Sequence, residues 1–147
     1  MGAVQTGAEM LAAICCSLFA GAAVYINLVE HPARMECGPE VAMMEFPPSY
    51  RRATRMQATL AILGFVLSVA AWIGGASLQW QVGGVLLVAV VPFTLIVIMP
   101  VNRRLLEPTL NKRSPEAAQL LARWGRLHAV RSILSVLALL VFLTARF

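Results

Sequence analysis

Residues 82–101 read VGGVLLVAVVPFTLIVIMPV, twenty positions without one charged side chain. A helix needs about 20 mainly apolar residues to cross the hydrocarbon of a bilayer, so this stretch reads as a membrane span, interrupted by Pro92 and Pro100. Outward from it, three more runs have the same character, at about 9–29, 49–74 and 116–145. The first is expected to stop at Glu30-His31-Pro32, because proline cannot continue a helix and biases the residue before it away from helical geometry. Ser49 is placed to cap the second. The fourth opens on Ser114-Pro115-Glu116, which brings together an N-cap, a proline at the first helical position and an early acid. It is longer than a bilayer requires, so its first turns are expected in or beyond the headgroups. Short connections favour antiparallel neighbours. The expected fold is all-α: a single transmembrane domain over 1–147, an integral membrane four-helix up-down bundle.

Composition argues against a soluble domain. Apolar residues make up 59% of the 147 positions and charged residues 13%, with a mean hydropathy of +0.76, whereas a globular domain carries roughly 25% charge. An isoelectric point of about 9.9 suits a nucleic-acid binder, but the cations flank apolar spans. The expected partners are therefore membrane lipid and a lipophilic small molecule, with no nucleic acid and with homo-oligomerisation left open. Cys15 and Cys16 are adjacent in an apolar run, which suits neither a disulfide nor a tetrahedral metal site; they read as packing residues, and Cys37 falls in a loop. Trp72 and Trp80 are expected at the headgroup belt, and Ser17 with Gly21 at a close helix contact. The connection 31–48, with Met43-Met44 and Pro47-Pro48, reads as a partial lid or a mobile segment. No Lys or Arg precedes the first span, which argues against a cleaved signal peptide. The opening Met1-Gly2-Ala3-Val4-Gln5-Thr6 fits the loose acylation pattern, but on the face opposite the one where it would act.

Lys and Arg stand at 34, 51, 52, 55, 103, 104, 112, 113, 123, 126, 131 and 146. Eleven of these twelve fall on or near the face that carries the connections 31–48 and 102–121, and none falls in the turn 75–81. The positive-inside rule makes that face cytoplasmic and puts both termini outside. The expected location is a bacterial plasma membrane.

Polar side chains inside a membrane bundle are costly and call for a partner or a role. Those of this chain converge on the charged face. Tyr25, Asn27, Glu30 and His31 come from the first span, and the three- and four-residue spacings of Asn27 to Glu30 and His31 put these on one face. Arg51, Arg52, Arg55 and Gln57 open the second span, and Asn102 and Arg103 close the third. Trp124, His128 and Arg131 follow one another at spacings of 4 and 3 along one stripe of the fourth, while Arg123 and Arg126 point elsewhere. Both histidines thus stand at one depth, on helices that are neighbours in an up-down bundle. The candidate catalytic residues are His128, His31, Glu30 and Arg131; the candidate substrate contacts are Trp124, Asn102, Arg55, Asn27 and Gln57. A plainer, structural reading stands beside this: Glu30 paired with Arg131 or Arg55 to set helix register, Trp124 as an interfacial anchor, and each histidine reaching toward the headgroups. No Walker loop, GxGxxG, CxxC or HExxH occurs. No metal site is expected from two histidines without an aspartate, although they can ligate a haem axially.

Five segments carry a family resemblance. They are Leu18-Phe19-Ala20-Gly21-Ala22-Ala23; Glu30-His31-Pro32-Ala33-Arg34; Tyr50-Arg51-Arg52 through Met56-Gln57; Pro100-Val101-Asn102; and Trp124 with His128 and Arg131 as W-x3-H-x2-R. In this order, over nearly the whole chain, they resemble the small four-helix membrane proteins grouped with fungal anthrone oxygenases. Most such proteins are uncharacterised. The fungal ones convert an anthrone to an anthraquinone with molecular oxygen and no bound metal or flavin. The resemblance implies a cofactor-independent membrane oxygenase for a lipophilic phenolic or anthrone-like substrate. Such a ketone loses a carbon-bound proton to give a stabilised carbanion that reacts with oxygen directly. The protein would supply a base, a cation or donor for the enolate, and an apolar pocket. On this reading His128 or His31 is the base, Arg131 and Asn102 hold the oxyanion, Glu30 orients a histidine and Trp124 stacks on the flat substrate. A non-enzymatic binding or structural protein, and a haem or quinone protein using both histidines, remain open at this level.

Overall fold

The computed structural model describes residues 2–145. Met1, Arg146 and Phe147 lie outside the described residues, and with them the first position of the acylation pattern and the one cation expected on the far side. Four long helices run through the described residues: α1 (Ala3–Glu36), α2 (Pro39–Ile73), α3 (Leu78–Leu105) and α4 (Pro115–Thr144), each long and apolar enough to cross a membrane. α2 packs between α1 and α3, and α4 closes the square against α3 and α1, while the diagonal pairs scarcely meet. Side chains turned away from this square are oily: Leu28 is 73% exposed and Ile96 74%. A water-facing surface does not carry an apolar collar of that extent. The chain is an integral membrane protein.

Most of the helices extend past their expected ends, for local reasons. The segment 31–48 is helical rather than a loop or lid. α1 passes through Pro32 and ends at Glu36; the chain then turns at Cys37-Gly38 and α2 starts at Pro39. Gly38 has φ +84°, a conformation that glycine adopts without steric cost. α1 carries a π-helical turn, Ile26–Glu30, that ends two residues before Pro32. That wider turn holds one extra residue and bonds i to i−5, which relaxes the carbonyl that a proline ring would otherwise strike. α3 repeats the device: Thr94–Ile98 is a π-helical turn, and Pro100 follows it by two residues as Pro32 follows Glu30. Pro47 and Pro48 lie inside α2, so Ser49 caps nothing; its hydroxyl donates to Glu30 Oε1 at 2.7 Å. Ser114 does cap α4, its Oγ accepting from the Ala117 N–H at 3.1 Å.

The interior is layered. Ile26, Phe46, Ile98, Leu105, Leu121 and Trp124 belong to an apolar cluster toward the charged end. Phe19, Ala61, Trp80, Leu87, Ala138 and Phe142 belong to a second, toward the other end. Trp80 is buried in the latter and stacks on Phe142 at 5.1 Å, so it is a core residue and not part of a headgroup belt; Trp72 is exposed. The close contact expected at Ser17 and Gly21 occurs elsewhere. Both of those face outward, whereas a Cβ on Gly84 would stand 1.8 Å from Ser68 Oγ. Met43 is buried and Met44 exposed, and Cys16 packs in the core.

Candidate functional site

Between the two apolar clusters lies a polar layer. α4 supplies most of it, because Trp124, His128, Arg131, Ser132 and Ser135 recur at helical spacing and are all buried. Asn27 is the hub. Its Nδ2 donates to the Gly125 carbonyl at 3.0 Å. A carbonyl only accepts, so this bond fixes the amide's orientation and turns Oδ1 toward His128 Nδ1, 2.7 Å away. Nδ1 is therefore the protonated nitrogen, and Nε2 keeps its lone pair. Ser132 Oγ lies 2.6 Å from the same Oδ1 and 2.9 Å from the Ala23 carbonyl. Ser132 was not among the expected site residues, although its place four after His128 marks it.

Arg131 donates through Nη2 to Gln57 Oε1 at 2.6 Å, and its guanidinium carbon stands 5.6 Å from the Phe19 ring. Arginine only donates, so Gln57 must present its oxygen there and keep its NH2 group free. Gln57 Nε2 and Arg131 Nε have no hydrogen-bond partner among the described residues. Arg131 is 9% exposed, and no carboxylate pairs with it there.

Glu30 binds neither Arg131 nor Arg55, nor does it orient a histidine; that last task falls to Asn27. Glu30 pairs with Arg34, one turn along the same helix, and accepts from Ser49. Arg34 is buried, reaches Glu45 Oε2 at 2.8 Å and stands with its guanidinium carbon 5.9 Å from the Trp124 ring. Trp124 is itself buried and so is no interfacial anchor. Its indole stacks on His128 at 4.8 Å and meets His31 and Phe46 at 5.3 Å each. His31 is pressed against α4, where a Cβ on Gly125 would stand 2.4 Å from its Nε2. Asn102 is buried with both amide atoms unpartnered among the described residues, while Arg55 and Tyr25 are exposed and stand apart from the layer.

Two cavities meet at this layer. One, of about 20 Å³, is bounded by residues including Glu30, Arg34, Trp124, His128 and Arg131; it has room for one water-sized molecule. The other, of about 80 Å³, is apolar and bounded by residues including Phe19, Ala58, Val91, Leu95 and Met99. Tyr50, Thr54, Gln57 and Arg131 line both, and His31 and Asn102 line neither. No group of three or more His, Cys, Asp or Glu able to hold a metal ion occurs among the described residues. The layer thus offers an imidazole lone pair and, one turn away, a buried guanidinium: a proton acceptor beside a stabiliser of negative charge.

Residues 46–141 match the family model for anthrone oxygenase. That range takes in Gln57, Asn102, Trp124, His128 and Arg131, and leaves Asn27, Glu30 and His31 of α1 outside it. The chain is also 27% identical over 135 residues to anthrone oxygenase tpcL of Aspergillus fumigatus, a match covering 85% of this chain and 84% of that protein. No solved structure matches. With most of its length matched by the family model, the chain belongs to the anthrone oxygenase family.

Proposed function

We propose that this protein oxygenates a lipophilic phenolic, anthrone-like substrate without a bound cofactor, and that the polar layer is its active site. One observation carries the reading: Arg131 is a buried guanidinium with no carboxylate partner among the described residues. An uncompensated cation at membrane depth is destabilising. An anion that forms only during turnover is the partner that accounts for it. His128 Nε2 removes a proton from the methylene carbon of the ketone, leaving an enolate whose oxygen takes charge-assisted hydrogen bonds from Arg131. The electron-rich ring carbon then reduces molecular oxygen and bonds to it, and the resulting hydroperoxide loses water to leave the second carbonyl. One ketone and one oxygen molecule give one quinone and one water. Asn27 keeps His128 in the tautomer that accepts the proton, and His31, pressed on Gly125, packs the indole rather than facing a haem opposite His128. The partners on this reading are bilayer lipid and the substrate. We take the cationic end as cytoplasmic, in a bacterial plasma membrane with both termini outside, because of the asymmetry of Lys and Arg.

The test is oxygen uptake and quinone absorbance with an anthrone, using protein in lipid nanodiscs and subtracting the enzyme-free blank. His128→Ala and Arg131→Gln should each lower turnover by roughly 100-fold while circular dichroism keeps its helical signal. Undiminished turnover in His128→Ala removes that residue as the base.

A further inference from the structure

The apolar cavity lies between the membrane-spanning parts of α2 and α3, and it opens toward lipid at Leu95, which is 58% exposed. Its inner end is the Gln57–Arg131 pair, which also walls the polar cavity. Each of those two side chains carries an N–H donor without a partner among the described residues, and each is at least nine-tenths buried. Unpaired buried donors at the end of an apolar slot match a flat hydrophobic molecule that carries an oxygen acceptor on its edge. The polar cavity holds only about 20 Å³, the size of one water, so it cannot contain a ring.

We propose that the groove between α2 and α3 is the site where substrate enters from the bilayer, its rings lying on Ala58, Val91, Leu95 and Met99 and its edge oxygen accepting from Gln57 Nε2 and Arg131 Nε. This deepens the oxygenase reading and rests on it for the identity of the occupant. The substrate does not pass through water. It slides from lipid into the groove, and the bond between Gln57 and Arg131 yields as the reacting edge moves toward His128, leaving the small polar cavity to a molecule of oxygen's size. Thr94, which lines the groove, begins the π-helical turn Thr94–Ile98, and that turn sets the spacing of Leu95 from Met99 along the wall.

Leu95→Trp places a reporter at the mouth, and 9,10-anthraquinone in nanodiscs is the probe. Quenching of the introduced indole is expected. Ala58→Phe should weaken that quenching about tenfold and raise KM for an anthrone by about the same factor, with kcat little changed. Val136→Phe, on a lipid-facing surface between α1 and α4, should do neither. Gln57→Leu adds no bulk and should weaken anthraquinone about tenfold but leave anthracene, which has no oxygen, unaffected. The groove is overturned if Ala58→Phe and Gln57→Leu, both folded, bind and turn over as the parent does, or if anthraquinone at saturation fails to quench the reporter. Should the quenching respond to both substitutions while no protein consumes oxygen, the groove stands as a quinone site and the oxygenase reading falls.

Discussion

Replacing Asn27 with Leu removes the group that decides which nitrogen of His128 is basic, without changing the number or branching of side-chain heavy atoms. In the native protein Asn27 makes three contacts: a donor bond to Gly125 O at 3.0 Å, and acceptor contacts at 2.7 Å with His128 Nδ1 and 2.6 Å with Ser132 Oγ. Ser132 has one proton and keeps the Ala23 carbonyl at 2.9 Å, so it is not orphaned by the change. One group is, the His128 Nδ1–H; the Gly125 carbonyl, inside α4, keeps the backbone N–H of its own helical turn. A buried polar group left unpaired costs about 1–3 kcal/mol, and the loss of stability should fall in that range. The chemical effect is separate. Without an acceptor at Nδ1, the imidazole is free to carry its proton on Nε2 and to rotate, and losing the partner that orients a functional histidine typically costs about 10- to 100-fold. Nitrogen-15 spectra of labelled histidine distinguish the tautomers directly, and oxygen uptake on the same nanodisc sample gives turnover. The expected result is a lower melting temperature, a mixed or inverted tautomer at His128, and turnover down by about one to two orders of magnitude. A variant that keeps both the Nδ1–H tautomer and full turnover would refute the role given to Asn27.

Three further substitutions separate stability from chemistry. Arg131→Met removes a buried cation that has no carboxylate counterpart among the described residues, so the melting temperature should hold or rise while turnover falls by about 100-fold; parallel losses in both would make Arg131 a structural residue. Gly125→Ala puts a methyl 2.4 Å from His31 Nε2 and 2.5 Å from its Cδ2, and overpacking of this kind costs about 1–3 kcal/mol; thermal melts should show it, with turnover retained below the melt. Glu40→Gln breaks a 2.7 Å pair with Arg113 that is exposed on both sides, and exposed pairs contribute little, so neither melting nor activity should change measurably.

The α4 half of the site is legible in the sequence because it obeys one period. Trp124, His128 and Arg131 at spacings of 4 and 3 must share a stripe if the segment is helical, and the hydropathy of the flanking residues makes it so. Arg34 is the contrary case. A rule that halts a helix at Pro32 turns everything from His31 to Pro48 into a loop, and Arg34 becomes a surface cation. The helix continues past Pro32 behind the π-helical turn Ile26–Glu30, as α2 continues past Pro47 and Pro48, and nothing in local composition announces either. Once the helix continues, Arg34 is one turn beyond Glu30 and their pairing follows from geometry. Trp80 fails for another reason: aromatic residues near span ends are usually interfacial, and its burial depends on Phe142, a contact across 62 positions that no local pattern contains. Arg55 and Gln57 are two apart on a helix and so cannot share a face; only the identity of the neighbouring helices decides that Gln57 points inward.

The two halves of the bundle divide the work. In lipid, apolar side chains gain nothing by moving from solvent to core, so helices are held by close packing and by polar contacts. The half away from the charged end takes the first route: Gly84 admits Ser68, Gly64 admits Leu87, and Trp80 stacks on Phe142. Among the described residues that half contains no buried cation. The other half departs from ideal helix geometry twice, at Ile26–Glu30 and at Thr94–Ile98. The first departure brings Asn27 and His31 both onto Gly125 while sending Glu30 toward α2; the second shapes the wall of the apolar groove. A buried guanidinium and its unpaired donors are tolerable only because the opposite half holds the helices in register without them. The polar layer can therefore be selected for chemistry instead of cohesion, which is why removing its charge is expected to leave the fold intact.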